Sequence, residues 1–155
     1  MADLKVLGIC GSLRKASFNM AALRACGEMM PEGMSLTIAR IDDIPIFNQD
    51  VFDAGIPEAA KRLRAEVAAA DGVLIASPEY NFSLTAALKN AIDWASRPPN
   101  QSWQDKPVAI FSVSAGPMGG GASSSNMVAD RLPWRSRQSL HVRAAVASGN
   151  ANTST

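Results

Sequence analysis

The sequence predicts an α/β fold, a doubly wound parallel sheet with helices on both faces. Apolar runs alternate with helix-like stretches, and Gly72 to Ser77 is an unbroken apolar run whose character Pro107 to Ser114 repeats. Such runs are typical of central parallel strands that are covered on both faces. Because strands alternate with helices, right-handed crossovers are expected. The expected strand order is 2-1-3-4-5, in which ligands bind at the carboxyl ends of strands one and three.

The individual elements follow from apolar spacing and from Pro and Gly as stop signals. In chain order they are strand Lys5 to Cys10, helix Met20 to Met30, strand Met34 to Ala39, loop Ile41 to Ile56, helix Pro57 to Ala70, strand Gly72 to Ser77, helix Thr85 to Trp94 and strand Pro107 to Ser114. The helix from Pro57 is amphipathic and buries Leu63 and Val67. Its charged residues are expected to form a solvated face: Lys61, Arg62, Arg64 and Glu66.

Length and composition exclude several classes of partner. The 155 residues, 47% of them hydrophobic, fit a compact globular protein. Lys and Arg number 15 against 14 Asp and Glu, so no global charge favours nucleic acid or an acidic membrane surface. The sequence has no apolar run of membrane-spanning length and no signal-peptide pattern, which predicts a cytoplasmic protein. Cys10 and Cys26 lack metal-site spacing, so we expect reduced core thiols and no metal.

The polar loop between the first strand and the first helix predicts an anion site. It runs from Gly11 to Asn19, directly after the apolar run that ends at Cys10. A helix N-terminus offers free backbone N–H groups and the positive end of the helix dipole, and hydroxyl and guanidinium groups add further donors. The side chains with this chemistry are Ser12, Arg14, Ser17 and Asn19. The loop is therefore expected to hold a dianionic phosphate.

Two more loops with unusual chemistry follow the third and fourth strands. Pro78 to Phe82 offers backbone amides, a carboxylate and an amide beside two aromatic rings, which suits a flat ring with heteroatoms at its edge. Ser114 to Gly121 is rich in glycine, which allows a close approach of the backbone to a ligand. Because all three loops leave the same edge of the sheet, we expect them to meet in one crevice.

Motifs in these loops carry a resemblance to a known family. They are GSLRKASFN, SPEYNFSLTAALKNAIDW and Ser114-x-Gly116-x-x-Gly119-Gly120. Together they resemble the NADPH-dependent FMN reductase family, close to its bacterial quinone and chromate reductases, over about residues 4–121. A GSxR loop alone is a weak signal, whereas two long motifs in the right order are fairly specific. The resemblance implies a flavodoxin-like fold, bound FMN, and NADPH or NADH as co-substrate.

The resemblance also implies a part for each loop. The implied cofactor-binding residues are Ser12, Arg14, Ser17, Phe18 and Asn19 at the phosphate, Pro78, Glu79, Tyr80, Asn81 and Phe82 at the isoalloxazine ring and ribityl chain, and Ser114 and Gly116 at the far edge. No catalytic side chain is needed, because the flavin takes a hydride from NAD(P)H and passes the electrons to a quinone or similar small acceptor. Chromate, azo compounds and free flavin are further plausible acceptors. A homodimer or tetramer is implied as well.

Each of these residues also has a structural interpretation. Ser12, Ser17 and Asn19 suit N-caps of the first helix, although a cap does not require the guanidinium of Arg14. In the second loop, Tyr80 and Phe82 could simply pack in a turn, and Glu79 could be an exposed charge. Both interpretations remain open at the level of sequence.

The helix that follows the second loop has an apolar face with two interpretations. Leu88, Ile92 and Trp94 suit either the core or the dimer interface that the family forms with this helix. The loop Ile44 to Asp50 has apolar residues that suit the same contact between copies.

After Gly121 the sequence departs from the family. Because the rest contains no Glu and no Lys, we divide the chain into a flavodoxin-like FMN-binding domain, residues 1–121, and a divergent segment, residues 122–155. Within that segment Ser123 to Leu132 suits a short helix, Leu140 to Ala147 suits a fifth strand, and Asn150 to Thr155 suits disorder. Loss of the usual fifth strand and last helix would expose an apolar edge of the sheet.

The expected function is therefore that of an FMN-dependent NAD(P)H oxidoreductase. The first alternative is a flavin-binding but catalytically impaired remnant. The second, ranked low, is an enzyme like the low-molecular-weight phosphatases, whose loop needs a Cys, five intervening residues and an Arg. Here only three residues separate Cys10 from Arg14, and Ala16 stands where that Arg belongs. The sequence predicts neither the physiological acceptor nor a preference between NADH and NADPH.

Overall fold

The computed structural model describes residues 3–99, 101–114 and 139–145 of the chain. Its elements are β1 (Leu4–Cys10), α1 (Phe18–Glu28), β2 (Met34–Ile38), α2 (Gln49–Ala54), α3 (Glu58–Ala69), β3 (Gly72–Ala76), α4 (Ala86–Ala95), β4 (Val108–Ser114) and β5 (Ser139–Ala145). The long loop predicted from Ile41 to Ile56 is wrong in one respect, because α2 lies within it. Asn48 caps α2, and its side chain accepts a hydrogen bond from the Asp50 amide at 2.8 Å.

The strands form one parallel sheet with the order β2-β1-β3-β4-β5. Cys10 of β1 lies opposite Ala76 of β3, which lies opposite Phe111 of β4, so these strands reach the carboxyl edge together. From β1 the chain goes on to β2 on one side of the sheet, and from β3 it goes on to β4 on the other side. The carboxyl edge between β1 and β3 is therefore a topological switch point. β5 pairs with β4, where the sequence suggested a strand from Leu140 to Ala147.

One apolar cluster lies on each face of the sheet. On the first face Leu23 of α1 is fully buried and packs with Phe111 and Val113. Gly8 makes room for it, because a Cβ there would lie 3.2 Å from the Leu23 methyl groups. On the second face α3 and α4 pack over the opposite side chains of the same strands, such as Ile9. The helices therefore hold the sheet from both sides and leave its carboxyl edge to the loops.

The apolar face of α4 belongs to the core. Leu88, Ile92 and Trp94 are all buried within the single chain, and the Trp94 indole donates to the carbonyl of Pro45 at 2.7 Å. The amide of Asn90 adds a hydrogen bond of 3.0 Å to the same carbonyl. Of the two interpretations of this face, the core is correct, and the prediction that it forms a dimer interface is wrong.

The charged side chains of α3 do more than face solvent. Arg62 donates to both carboxylate oxygens of Asp43, at 2.9 and 2.7 Å, and this hydrogen-bonded pair lowers the pKa of Asp43. Arg64 donates to a backbone carbonyl of α4 at 3.0 Å. Burial raises the pKa of the half-buried Glu66 carboxyl. The predicted solvated face is therefore correct for Lys61 and wrong for the other three residues.

Candidate functional site

The loop after β1 brings the predicted anion ligands to the start of α1. Ser17 is the N-cap, and its hydroxyl oxygen accepts a hydrogen bond from the Met20 amide at 3.2 Å. The capping interpretation is correct for Ser17, whose hydroxyl retains an O–H donor for a ligand. The amides of Phe18 and Asn19 precede the first intrahelical hydrogen bond, so they are donors at the positive end of the dipole. Ser12, in the same loop, is buried.

Arg14 adds a positive charge to the same loop. Its guanidinium lies 5.9 Å from the centroid of the Phe18 ring, at the first residue of α1. Such a cation–π contact favours a position near the helix start, and both side chains are exposed. A helix cap requires no cation, whereas a guanidinium forms strong charge-assisted hydrogen bonds with a phosphate. The donors of this loop therefore fit the phosphate group of a nucleotide or flavin cofactor.

Gly11 joins the loops that follow β1 and β3. Its amide donates to the Ala76 carbonyl at 2.8 Å, and its carbonyl accepts from the Thr85 hydroxyl at 2.6 Å. A Cβ here would lie 2.5 Å from the Ser77 hydroxyl and 3.0 Å from that of Thr85, too close for any side chain. Thr85 also accepts from the Leu88 amide at 3.2 Å as the N-cap of α4. One hydroxyl therefore fixes both loops and the start of α4 relative to one another.

The loop after β3 contains a tight turn that presents two aromatic rings. Tyr80 and Ser83 exchange backbone hydrogen bonds of 3.1 and 3.0 Å. Between them, Asn81 has a φ of 51° and Phe82 a φ of 60°, the pattern of a type I′ turn. The Tyr80 and Phe82 side chains are 52% and 72% exposed, so neither ring is packed away in the core. Pro78 and Glu79, which lead into the turn, are half-buried.

Asn19 contacts β4 through its side chain. Its amide nitrogen donates to the Val113 carbonyl at 2.9 Å, and its amide oxygen accepts from the Val113 N–H at 2.9 Å. The Phe111 carbonyl accepts a hydrogen bond from the Ser77 amide, so it faces the β3 side of β4. Backbone groups two residues apart in a strand face the same side, so the N–H and C=O of Val113 also face this side, beyond the last hydrogen bond with β3. The side chain is 3% exposed. The Asn19 side chain therefore positions α1 against β4, and its predicted contact with a phosphate stays a prediction.

The structure brings two of the three predicted loops together. Gly116 lies outside the residues that the structure describes, as does the rest of the glycine-rich loop, and Ser114 is the last residue of β4. Their part in the site stays a prediction. Sequence reasoning missed Ser77 and Thr85, which pack on Gly11. The available signals were a polar residue at the end of an apolar strand and a Thr directly before a helix.

Cys10 does not fit the nucleophile of a phosphatase. It is buried at the end of β1, and its thiol donates to the Ser12 carbonyl at 3.6 Å. Within residues 3–99, 101–114 and 139–145 there is no cluster of three side chains that could hold a metal ion. In the same ranges no helix has the length and apolar character needed to cross a membrane.

An apolar cavity of about 500 Å³ lies at the other end of the sheet. It is lined by residues at the amino ends of the strands and beside them, among them Leu4, Val6, Met34 and Leu74. Its position separates it from the loops at the carboxyl edge. We therefore place the candidate site at the carboxyl edge, where the loops and their polar groups meet, and not in this cavity.

These features define the class of protein. A parallel sheet of order 2-1-3-4-5, with a loop rich in anion donors at the switch point and an aromatic turn in the next loop, is typical of a flavodoxin-like protein. The family described as NADPH-dependent FMN reductase matches residues 4–152, and the chain belongs to it. This match extends beyond Gly121, where the motif resemblance ends.

Individual relatives agree with this family. The chain is 53% identical over 117 residues to an NAD(P)H-dependent FMN reductase of Pseudomonas aeruginosa, which covers 76% of this chain and 63% of that protein. It is 48% identical over 113 residues to a quinone reductase of Pseudomonas putida, with coverages of 72% and 61%. The structure of a flavoenzyme NAD(P)H:acceptor oxidoreductase from Paracoccus denitrificans matches with a TM-score of 0.79 and 32% identity, over 93% of this chain and 78% of that one. The chain thus spans 61–63% of the length of the two Pseudomonas proteins.

Proposed function

We propose that the chain is an FMN-dependent NAD(P)H oxidoreductase that reduces quinones, flavins or similar small acceptors. The Gly11 junction carries the proposal, because it holds the anion loop and the aromatic turn side by side at the switch point of the sheet. FMN combines the two chemistries that these loops fit, a dianionic phosphate and a flat ring with heteroatoms at its edge. Relatives named as FMN and quinone reductases, at up to 53% identity, support the same conclusion.

The proposed parts of the residues follow from their positions. The phosphate ligands would be Ser12, Arg14, Ser17 and the first backbone amides of α1, from Phe18 onward. The ring and ribityl chain would be flanked by Pro78, Glu79, Tyr80, Asn81 and Phe82, with Ser114 and Gly116 at the far edge. FMN, when bound, would supply the hydride chemistry between NADPH or NADH and the acceptor. The protein would orient the cofactor and needs no acid or base of its own.

The finer proposals concern acceptors, assembly and location. We propose chromate and azo compounds as further acceptors, a homodimer or tetramer, and a cytoplasmic location. Because the apolar face of α4 is in the core, contacts between copies would use other exposed apolar residues, such as Ile46, which is 79% exposed. Light scattering behind size-exclusion chromatography measures the assembly. A monomer at every concentration tested would contradict the proposed oligomer.

The central experiment separates binding from turnover. The purified chain is titrated with FMN and with riboflavin, and NADPH oxidation is then followed with menadione as acceptor. We expect FMN to bind more tightly than riboflavin, because only FMN carries the phosphate, and we expect turnover that depends on added FMN. Equal affinity for both flavins would refute the phosphate site, and an absence of flavin binding would refute the proposed function.

One observation favours a second candidate, the catalytically impaired flavin-binding remnant. The match covers 61–63% of the length of the two Pseudomonas relatives, so more than a third of each of those proteins lies outside it. FMN binding without NADPH oxidation, in a sample with cooperative unfolding, selects this candidate. Turnover with menadione excludes it.

A further inference from the structure

The first face of the sheet is covered less completely at its amino end than at its carboxyl end. Near the carboxyl end, Cys10, Ala76 and Phe111 are buried in the cluster that includes α1. Two positions earlier in β3 and β4, on the same face, Leu74 and Ala109 are only half-buried. Central strands of a parallel sheet are normally covered on both faces. In the part of the chain that the structure describes, the amino end of this face is therefore an open apolar surface.

This open surface forms the apolar cavity of about 500 Å³. Its volume lies in the range of small-molecule sites, roughly 300–1,000 Å³. Met30 and Met34, both half-buried, are part of its wall. Methionine side chains are flexible and polarizable, and their sulfur makes favourable contacts with aromatic rings. The cavity is therefore suited to the apolar body of a small molecule.

A single carboxylate gives the cavity a charge. Asp71 is the one charged side chain among the lining residues that the structure describes. It is exposed, and its Oδ2 accepts a hydrogen bond from the Lys5 amide at 2.7 Å. Within the described ranges Asp71 has no ion pair, and the nearby Lys106 donates to the carbonyls of Ala68 and Ala70. A negative charge at the rim of an apolar wall favours a ligand that carries a positive charge.

We propose that this cavity binds a small apolar amine, with the ammonium group at Asp71 and the apolar body against the strands. An ammonium group forms a charge-assisted hydrogen bond with a carboxylate, and burial of the apolar body removes the lining residues from water. The inference goes beyond the proposed oxidoreductase function and does not depend on it, because the cavity and the cofactor loops lie at opposite edges of the sheet.

Three naphthalene compounds that differ in charge test the proposal: 2-naphthylmethylammonium, 2-naphthylmethanol and 2-naphthoate. Equilibrium dialysis against the full chain at pH 7 gives their dissociation constants. We expect the ammonium compound to bind about fivefold more tightly than the neutral alcohol, which is the scale of an ion pair at an exposed carboxylate. The anionic naphthoate is expected to bind least tightly, because Asp71 repels it.

Two variants separate the charge from the cavity. Asp71→Asn keeps an acceptor for the Lys5 amide but removes the charge, so the ammonium compound and the alcohol are expected to bind within about twofold of each other. Asp53→Asn is the matched control, because exposed Asp53 lies on α2, and it is expected to keep the preference for the ammonium compound. Ala109→Leu places a larger side chain in the cavity and is expected to weaken binding of all three compounds by about tenfold. FMN affinity is expected to stay within about twofold in each variant.

Several outcomes would overturn the proposal. Equal affinity of the wild type for the three compounds would refute the role of Asp71, and so would a preference that persists in Asp71→Asn. No binding, or binding that Ala109→Leu leaves unchanged, would show that the cavity is not the site. If light scattering finds a dimer that Ala109→Leu dissociates, a second copy of the chain covers the cavity instead. NADPH oxidation tests the proposed function separately, because none of these measurements involves turnover.

Discussion

Replacement of Asn19 by leucine tests how the start of α1 is fixed to the sheet. Leucine has a similar size but leaves the N–H and C=O of Val113 without their partners at 2.9 Å, in a position where the wild-type side chain is 3% exposed. A buried backbone group left unpaired costs about 1–3 kcal/mol. With two such groups, Asn19→Leu is expected to lower the free energy of unfolding by about 2–6 kcal/mol, a large part of the roughly 5–15 kcal/mol of a typical domain.

A second substitution at the same position adds a dependence on pH. In Asn19→Asp the protonated carboxyl can still donate to the Val113 carbonyl, whereas the ionised form faces that carbonyl without a proton. Burial and the carbonyl oxygen both favour the neutral form, so the folded state raises the pKa of the introduced carboxyl. The variant is therefore most stable below the ordinary pKa of Asp and loses stability as pH rises through the raised value.

Urea unfolding followed by tryptophan fluorescence measures these effects at pH 4 and pH 8. Asn48→Leu is the matched control, because exposed Asn48 makes a single cap hydrogen bond, and its loss is expected to cost about 1 kcal/mol. A cost for Asn19→Leu no larger than that of the control would show that water satisfies Val113. The reasoning about a buried amide bridge would then be wrong.

Three further substitutions probe the site and the core. Gly11→Ala places a Cβ 2.5 Å from the Ser77 hydroxyl, so we expect a lower melting temperature and FMN affinity weakened by about tenfold or more, measured by thermal unfolding and fluorescence titration. Arg14→Ala removes a charge-assisted donor, so FMN binding is expected to weaken by about tenfold while riboflavin binding stays unchanged, and an equal loss for both flavins would contradict the assignment. Asp43→Asn removes the ion pair with Arg62. In the wild type this ion pair lowers the pKa of Asp43. The wild type is thus expected to be more stable than this variant at pH 7, and the difference in urea midpoint to vanish as pH falls through the lowered pKa.

Local patterns predicted much of the fold. The apolar runs that became β1, β3 and β4 are readable because a strand covered on both faces needs apolar residues on both sides. The loop from Gly11 to Asn19 is predicted as an anion site because several hydrogen-bond donors lie within one short stretch before a helix. Each of these signals lies within fewer than about ten neighbouring residues, and the sequence displays such neighbours directly.

Distant contacts decided what the patterns left open. Asn19 in a first turn suits a cap or a ligand equally well, and its actual partner, Val113, lies 94 residues away along the chain. The apolar face of α4 has the same pattern in a core and in an interface, and only the position of the Pro45 carbonyl beside Trp94 distinguishes them. Arg62 on α3 reads as a solvated charge until the fold brings Asp43 within 2.7 Å.

The Thr85 hydroxyl has a consequence for how the molecule opens. The same oxygen donates to the Gly11 carbonyl and accepts from the Leu88 amide, so the first turn of α4 and the junction of the two loops share one bond network. Local unfolding of that turn releases the loops in the same step. Exchange of the Leu88 and Gly11 amides with solvent deuterium should therefore occur at matching rates, as members of one cooperative unit.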